Sequence, residues 1–136
     1  MMKRLSGLIA APHTAFRADG SLALDVIPLQ ARLLAHNGVS GAFICGTTGE
    51  GSSLTGEERR QVVEAWVAAR PAGLAVIVHV GHLSIGDACA YAAHAQSAGA
   101  DAVAALAPSF FRPPGLGELV SWCARIAAAS ANRRSR

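Results

Sequence analysis

The sequence is poor in lysine and tyrosine: Lys3 and Tyr91 are the only ones among 136 residues. A phosphate-cradling P-loop closes on Gly-Lys-Ser/Thr, and Lys3, near the N-terminus, cannot supply that step. Charged residues make up only 15% and aromatics 5%, while 51% are hydrophobic, a balance that excludes a disordered chain. No uncharged apolar run approaches the roughly 18 residues of a membrane span. Met1–Arg4 carries two positive charges, but Pro12 and His13 follow too soon for a secretory leader core. Cysteine is scarce and odd in number: Cys45, Cys89 and Cys123 lie far apart, which argues against a disulfide framework. Buried free thiols in a reducing cytoplasm are expected. The net charge of +3 comes from Arg133, Arg134 and Arg136, so residues 1–132 are neutral overall. A basic tag on a neutral body offers no face for nucleic acid.

What the sequence does contain is an alternation of short apolar runs and longer amphipathic stretches. Gly7–Ala11, Gly41–Cys45, Ala75–Val80 and Ala102–Leu106 have the length of strands buried on both faces. Helices are expected over Ala23–His36, Thr55–Ala69, Ser84–Ala98 and Leu116–Ala129. In the second, Val62, Val63, Trp66 and Val67 share one face. Thr55-Gly-Glu-Glu58 has the form of a capping box, and Ser84-Ile-Gly-Asp87 that of a weaker cap. Gly38 and Gly99 each stand where a helix should stop before a strand. Four βα units of about 30 residues result, a parallel α/β chain. A doubly wound sheet and half of an eight-unit (β/α)8 barrel both satisfy this pattern.

The loop Cys45-Gly-Thr-Thr-Gly-Glu-Gly-Ser-Ser-Leu54 follows the second strand, where parallel α/β proteins collect their ligands. Its glycines permit close backbone approach, and the hydroxyls of Thr47 and Thr48 could join backbone N–H groups around a small carboxylate. A plain glycine-rich turn with locally capping threonines fits the spacing equally well. A dinucleotide fingerprint is excluded: the acidic residue expected about 20 positions on is missing, and Trp66 stands there in a helix. His79 and His82 end the third strand. Three apart on an extended strand, they would point to opposite faces, and no ligand set surrounds them, so a loop histidine is preferred over a metal site. Glu57 and Glu58 suit a helix start and receive no catalytic role. Phe110 and Phe111 are expected to pack rather than to wall a pocket.

Gly46-Thr-Thr-Gly-Glu50 after a strand resembles the signature of the pyruvate-dependent aldolase family that includes N-acetylneuraminate lyase and dihydrodipicolinate synthase. The similarity continues through Ser52–Val62, then Val78-His-Val-Gly-His-Leu-Ser84, Gly99-Ala-Asp101 and Ala107-Pro-Ser-Phe-Phe111, in the order and spacing of the animal-type lyases. Gly7-Leu-Ile-Ala-Ala-Pro12 and Phe16 fit the family's first strand and loop. The resemblance covers residues 5–130, expected to form the first half of a TIM (β/α)8 barrel, with residues 131–136 a basic tail foreign to the family.

The resemblance implies a Schiff-base lyase that cleaves N-acetylneuraminate to N-acetylmannosamine and pyruvate, without cofactor or metal, as a cytoplasmic homotetramer. It places the substrate carboxylate on Thr47 and Thr48. In the family, a lysine amine attacks the ketone and a tyrosine moves protons, both from the second half of the barrel. Neither Lys3 nor Tyr91 matches those positions, so no catalytic residue is assigned, and the chain is expected to be a truncated, inactive form that self-associates through open strand edges. Phe110 stands where the synthases carry a proton-relaying tyrosine, which favours the lyase branch. A related 2-keto-acid aldolase, or a non-catalytic half-barrel interaction protein, are the alternatives.

Overall fold

The computed structural model describes residues 5–131; Lys3 and the arginines at 133, 134 and 136 lie outside the described residues. The strands are β1 (Ile9–Ala10), β2 (Gly41–Ile44), β3 (Ala75–His79) and β4 (Ala102–Ala104). The helices are α1 (Ile27–His36), α2 (Gly56–Ala69), α3 (Ile85–Ala98) and α4 (Leu116–Ala131). All strand pairs are parallel and follow chain order, β1-β2-β3-β4, with Ile9 opposite Gly41, Gly41 opposite Ala75 and Ile77 opposite Ala102. A doubly wound sheet reverses its strand order at a switch point, and this one does not. Consecutive helices pack on one another, α1 on α2, α2 on α3 and α3 on α4, which puts them in one layer on one face. Four βα units in this order are half of a (β/α)8 barrel.

Alternation along the strands decides the core. Ala42, Ile44, Val76, Val78 and Val80 point to the helices, where they meet Ala31, Val62, Trp66, Ala88 and Ala92. Small alanines on α3 let it approach the sheet closely. The Thr55 hydroxyl accepts from the Glu58 N–H, and the Glu58 carboxylate accepts from the Thr55 N–H, so the capping box is complete. Ser84 caps α3 through the Asp87 N–H. Gly38 (φ 73°) and Gly99 (φ 95°) end helices in the left-handed conformation expected of them.

Several expectations are corrected. α1 starts at Ile27, not Ala23, because Pro28 lacks an N–H and fits only the first turn; Leu24–Val26 forms a 3-10 turn instead. A bridge between Phe16 and Leu22, absent from the periodicity, turns the chain before it. Only β2 and β3 are well buried; β1 and β4 are short and half-buried, since each has a neighbouring strand on one edge alone. α4 continues to Ala131. All three cysteines are free, but only Cys45 is buried; Cys89 is half-buried and Cys123 exposed, because α4 buries little besides Ile126. No helix among the described residues is long and apolar enough to cross a membrane.

Candidate functional site

Residues 45–54 leave the carboxyl end of β2 as a tight series of turns. Cys45 (φ 56°) and Glu50 (φ 53°) are the only non-glycine residues with positive φ among those described, and both belong to this loop. Such backbone costs of order 1–3 kcal/mol each and persists only where the surroundings impose it. The surroundings are the loop itself. Gly51 N–H donates to the Gly46 carbonyl at 3.0 Å, and Glu50 N–H to the Thr47 carbonyl at 3.0 Å. Gly49 and Gly51 lie against the Cys45 backbone, and the Thr14 hydroxyl donates to the Gly49 carbonyl at 2.6 Å. Thr47 is exposed and Thr48 half-buried, and neither hydroxyl is engaged in a hydrogen bond among the described residues. The threonines are thus not caps for their own turn.

A second group of residues braces this loop. Arg59 in the first turn of α2 is only 4% exposed, yet carries a guanidinium. It donates to the Gly51 carbonyl at 3.4 Å and the His79 carbonyl at 2.5 Å, and stacks 4.3 Å from the centre of the Tyr91 ring. One side chain therefore ties the loop after β2 to the end of β3 and to α3. Burial, and then the Arg59 charge, hold the His79 imidazole below its ordinary pKa, so it is neutral near pH 7. Its Nε2 is buried without a partner. A cleft of about 280 Å³ opens beside it between the loops after β3 and β4, lined by Ser52, Arg59, His79, His82, Leu106 and Ser109 among others.

His79 and His82 both line that cleft rather than opposite faces, because β3 ends at His79 and Gly81 starts a different path. His82 Nδ1 accepts from the Ser84 N–H at 3.0 Å, which fixes the neutral ring's proton on Nε2. Among the described residues no three His, Cys, Asp or Glu side chains gather to hold a metal. Phe110 and Phe111 pack edge to face on each other, 4.9 Å apart, but remain exposed instead of joining the core, because the loop after β4 has no structure on its far side. Thr47 and Thr48 do not line the cleft; they stand at the neighbouring strand end.

Burial raises the Cys45 thiol to a pKa of about 11, partly offset by Arg59. At pH 8 a thiol-specific reagent is expected to label Cys123 fast and Cys45 only after denaturation. Peptide mapping of a timed labelling series checks this; prompt labelling of Cys45 would contradict the packing of the loop.

Residues 4–133 match the Dihydrodipicolinate synthetase family. The chain belongs to that family. It is 42% identical over 132 residues to N-acetylneuraminate lyase A of Xenopus laevis, covering 96% of this chain and 43% of that protein. Among solved structures, Proteus mirabilis N-acetylneuraminate lyase superposes with a TM-score of 0.91 at 45% identity, over 96% of this chain and 44% of that one. Dihydrodipicolinate synthase from Aquifex aeolicus gives 0.86 at 29%, over 92% and 42%. This family member therefore spans less than half the length of the relatives it matches, and its sheet and helix layer correspond to their amino-terminal half.

Within the family framework, the residue that sequence inspection overlooked is Arg59. Arginine is normally exposed, so its burial was not anticipated. The signal was present in the spacing: 59, 62, 63 and 66 follow the i, i+3, i+4, i+7 rule of a single helical face. Glu58, by contrast, does what its position suggested, since it completes the cap. Tyr91 lies mid-helix beneath Arg59, edge-on to His82, and serves this bracing rather than a strand end.

Proposed function

We propose that this chain is the carboxylate-holding part of a Schiff-base lyase that splits N-acetylneuraminate into N-acetylmannosamine and pyruvate. The strained loop carries the proposal, because it presents two unengaged threonine hydroxyls at the carboxyl end of a parallel strand. Thr47 and Thr48 receive the carboxylate of the pyruvyl portion, and Arg59 keeps the loop in place without touching substrate. The higher identity to the lyases than to the A. aeolicus synthase supports the lyase over another keto-acid aldolase. A phenylalanine at position 110 points the same way, since it cannot relay a proton. Three free thiols suit a reducing cytoplasm.

The carbon–carbon cleavage itself needs an amine at a strand end, and the one lysine of this chain precedes β1. The 136-residue polypeptide is accordingly a non-covalent pyruvate binder. Incubation with pyruvate and borohydride should add no mass to the purified chain, while saturation-transfer NMR should detect bound pyruvate. Thr48→Val should weaken that signal at least about tenfold, the loss of one charge-assisted hydrogen bond. A covalent adduct refutes the inactivity, and pyruvate contact unchanged in Thr48→Val refutes the role of the loop.

A further inference from the structure

The exposed large apolar side chains are not scattered. Between residues 41 and 98 only Leu83 is one of them; the others belong to the first and fourth βα units. Each flank helix carries an apolar pair at i, i+4: Leu29 and Leu33 on α1, 61% and 56% exposed, and Leu116 and Val120 on α4, 76% and 58% exposed. Inside the chain, every helix packs on the next one. The outer sides of α1 and α4 are where that series stops among the described residues, beside the open edges of β1 and β4.

We propose that two copies of this chain close one eight-stranded barrel about a two-fold axis, with β4 and α4 of each copy against β1 and α1 of the other. The strand count requires no other number, since four parallel strands in sequential order become eight. The flanks also match in depth. Leu29 and Leu33 are the third and seventh residues of α1, and Leu116 and Val120 the first and fifth of α4. Helices running the same way would bring these pairs within about 3 Å of level, at 1.5 Å per residue. Arg32 and Glu118, both exposed, give the two flanks opposite charge at that depth. The closure removes both open edges at once. It rests on the fold alone, so it stands whether or not the threonine loop binds pyruvate.

Light scattering after size exclusion should give twice the 13.9 kDa chain mass at micromolar concentration. Leu29→Lys with Leu33→Lys, or Leu116→Glu with Val120→Glu, should each raise the dimer dissociation constant at least about a hundredfold, with helix content by circular dichroism unchanged. An equimolar mixture of the two variants should restore the dimer, because it contains one unaltered flank pair and one of lysine facing glutamate. The proposal is overturned by a monomer at all concentrations, by larger open-ended assemblies, or by a dimer that only one variant breaks. A monomer that associates only with a separate polypeptide supplying further βα units would overturn it too, by naming another occupant.

Discussion

Gly51→Ala is expected to abolish pyruvate binding and to destabilise the chain by about 3 kcal/mol or more. A Cβ at this position would lie 1.9 Å from the Cys45 carbonyl oxygen and 2.7 Å from its carbonyl carbon. Both are main-chain atoms, so no side chain can swing aside. The backbone of the loop has to open, and Cys45 and Glu50 then relax out of positive φ. The result is a loop with lower strain and no fixed place for the hydroxyls of Thr47 and Thr48. Urea unfolding and pyruvate NMR on the same sample check both halves of the statement. An alanine chain that binds pyruvate normally would show that the coil around Cys45 is not what positions the threonines.

Arg59→Ala should be of similar or greater severity, about 3–5 kcal/mol, a large share of the roughly 5–15 kcal/mol that holds a domain of this size. Its removal strands the Gly51 and His79 carbonyls, at about 1–3 kcal/mol each, and leaves the face of Tyr91 uncovered. Arg59→Lys should recover less than half of the loss, since an ammonium cannot span two carbonyls in the plane of a guanidinium fork. Denaturant midpoints of the three chains, compared at a common slope, decide the matter. Equal stability of the alanine and wild-type chains would mean the buried guanidinium contributes nothing net.

How far the sequence discloses this molecule follows from which signals are local. The cap at Thr55–Glu58, the stops at Gly38 and Gly99 and the runs of β2 and β3 depend on a few adjacent residues, and all were legible. The start of α1 was misplaced although Pro28 marked it, because the apolar spacing extends upstream into a 3-10 turn. The threonine loop could be located from its glycines, but its composition alone suited an idle turn as well. What separates the two is the backbone at Cys45 and Glu50, and no residue type announces a positive φ in a cysteine or a glutamate. The joint position of His79 and His82 depended on where β3 ends, and element ends are the least local feature of all. The barrel, rather than a doubly wound sheet, is decided by strand order, which is a property of pairing between units.

The graded burial of the four strands sets where the chain opens first. β2 and β3 have hydrogen-bonded neighbours on both edges and buried residues throughout, whereas β1 and β4 are bonded on one edge only. Backbone amides of the two central strands are therefore released to solvent only by near-global unfolding, and those of the flanking strands by cheap local excursions. Ser84, Asp101 and the loops beyond β4 sit on the outward side of that gradient, while the threonine loop hangs from β2, inside it. The element that holds the strained turn is thus also among the slowest to exchange its protons, and the molecule can fluctuate at its margins without disturbing it.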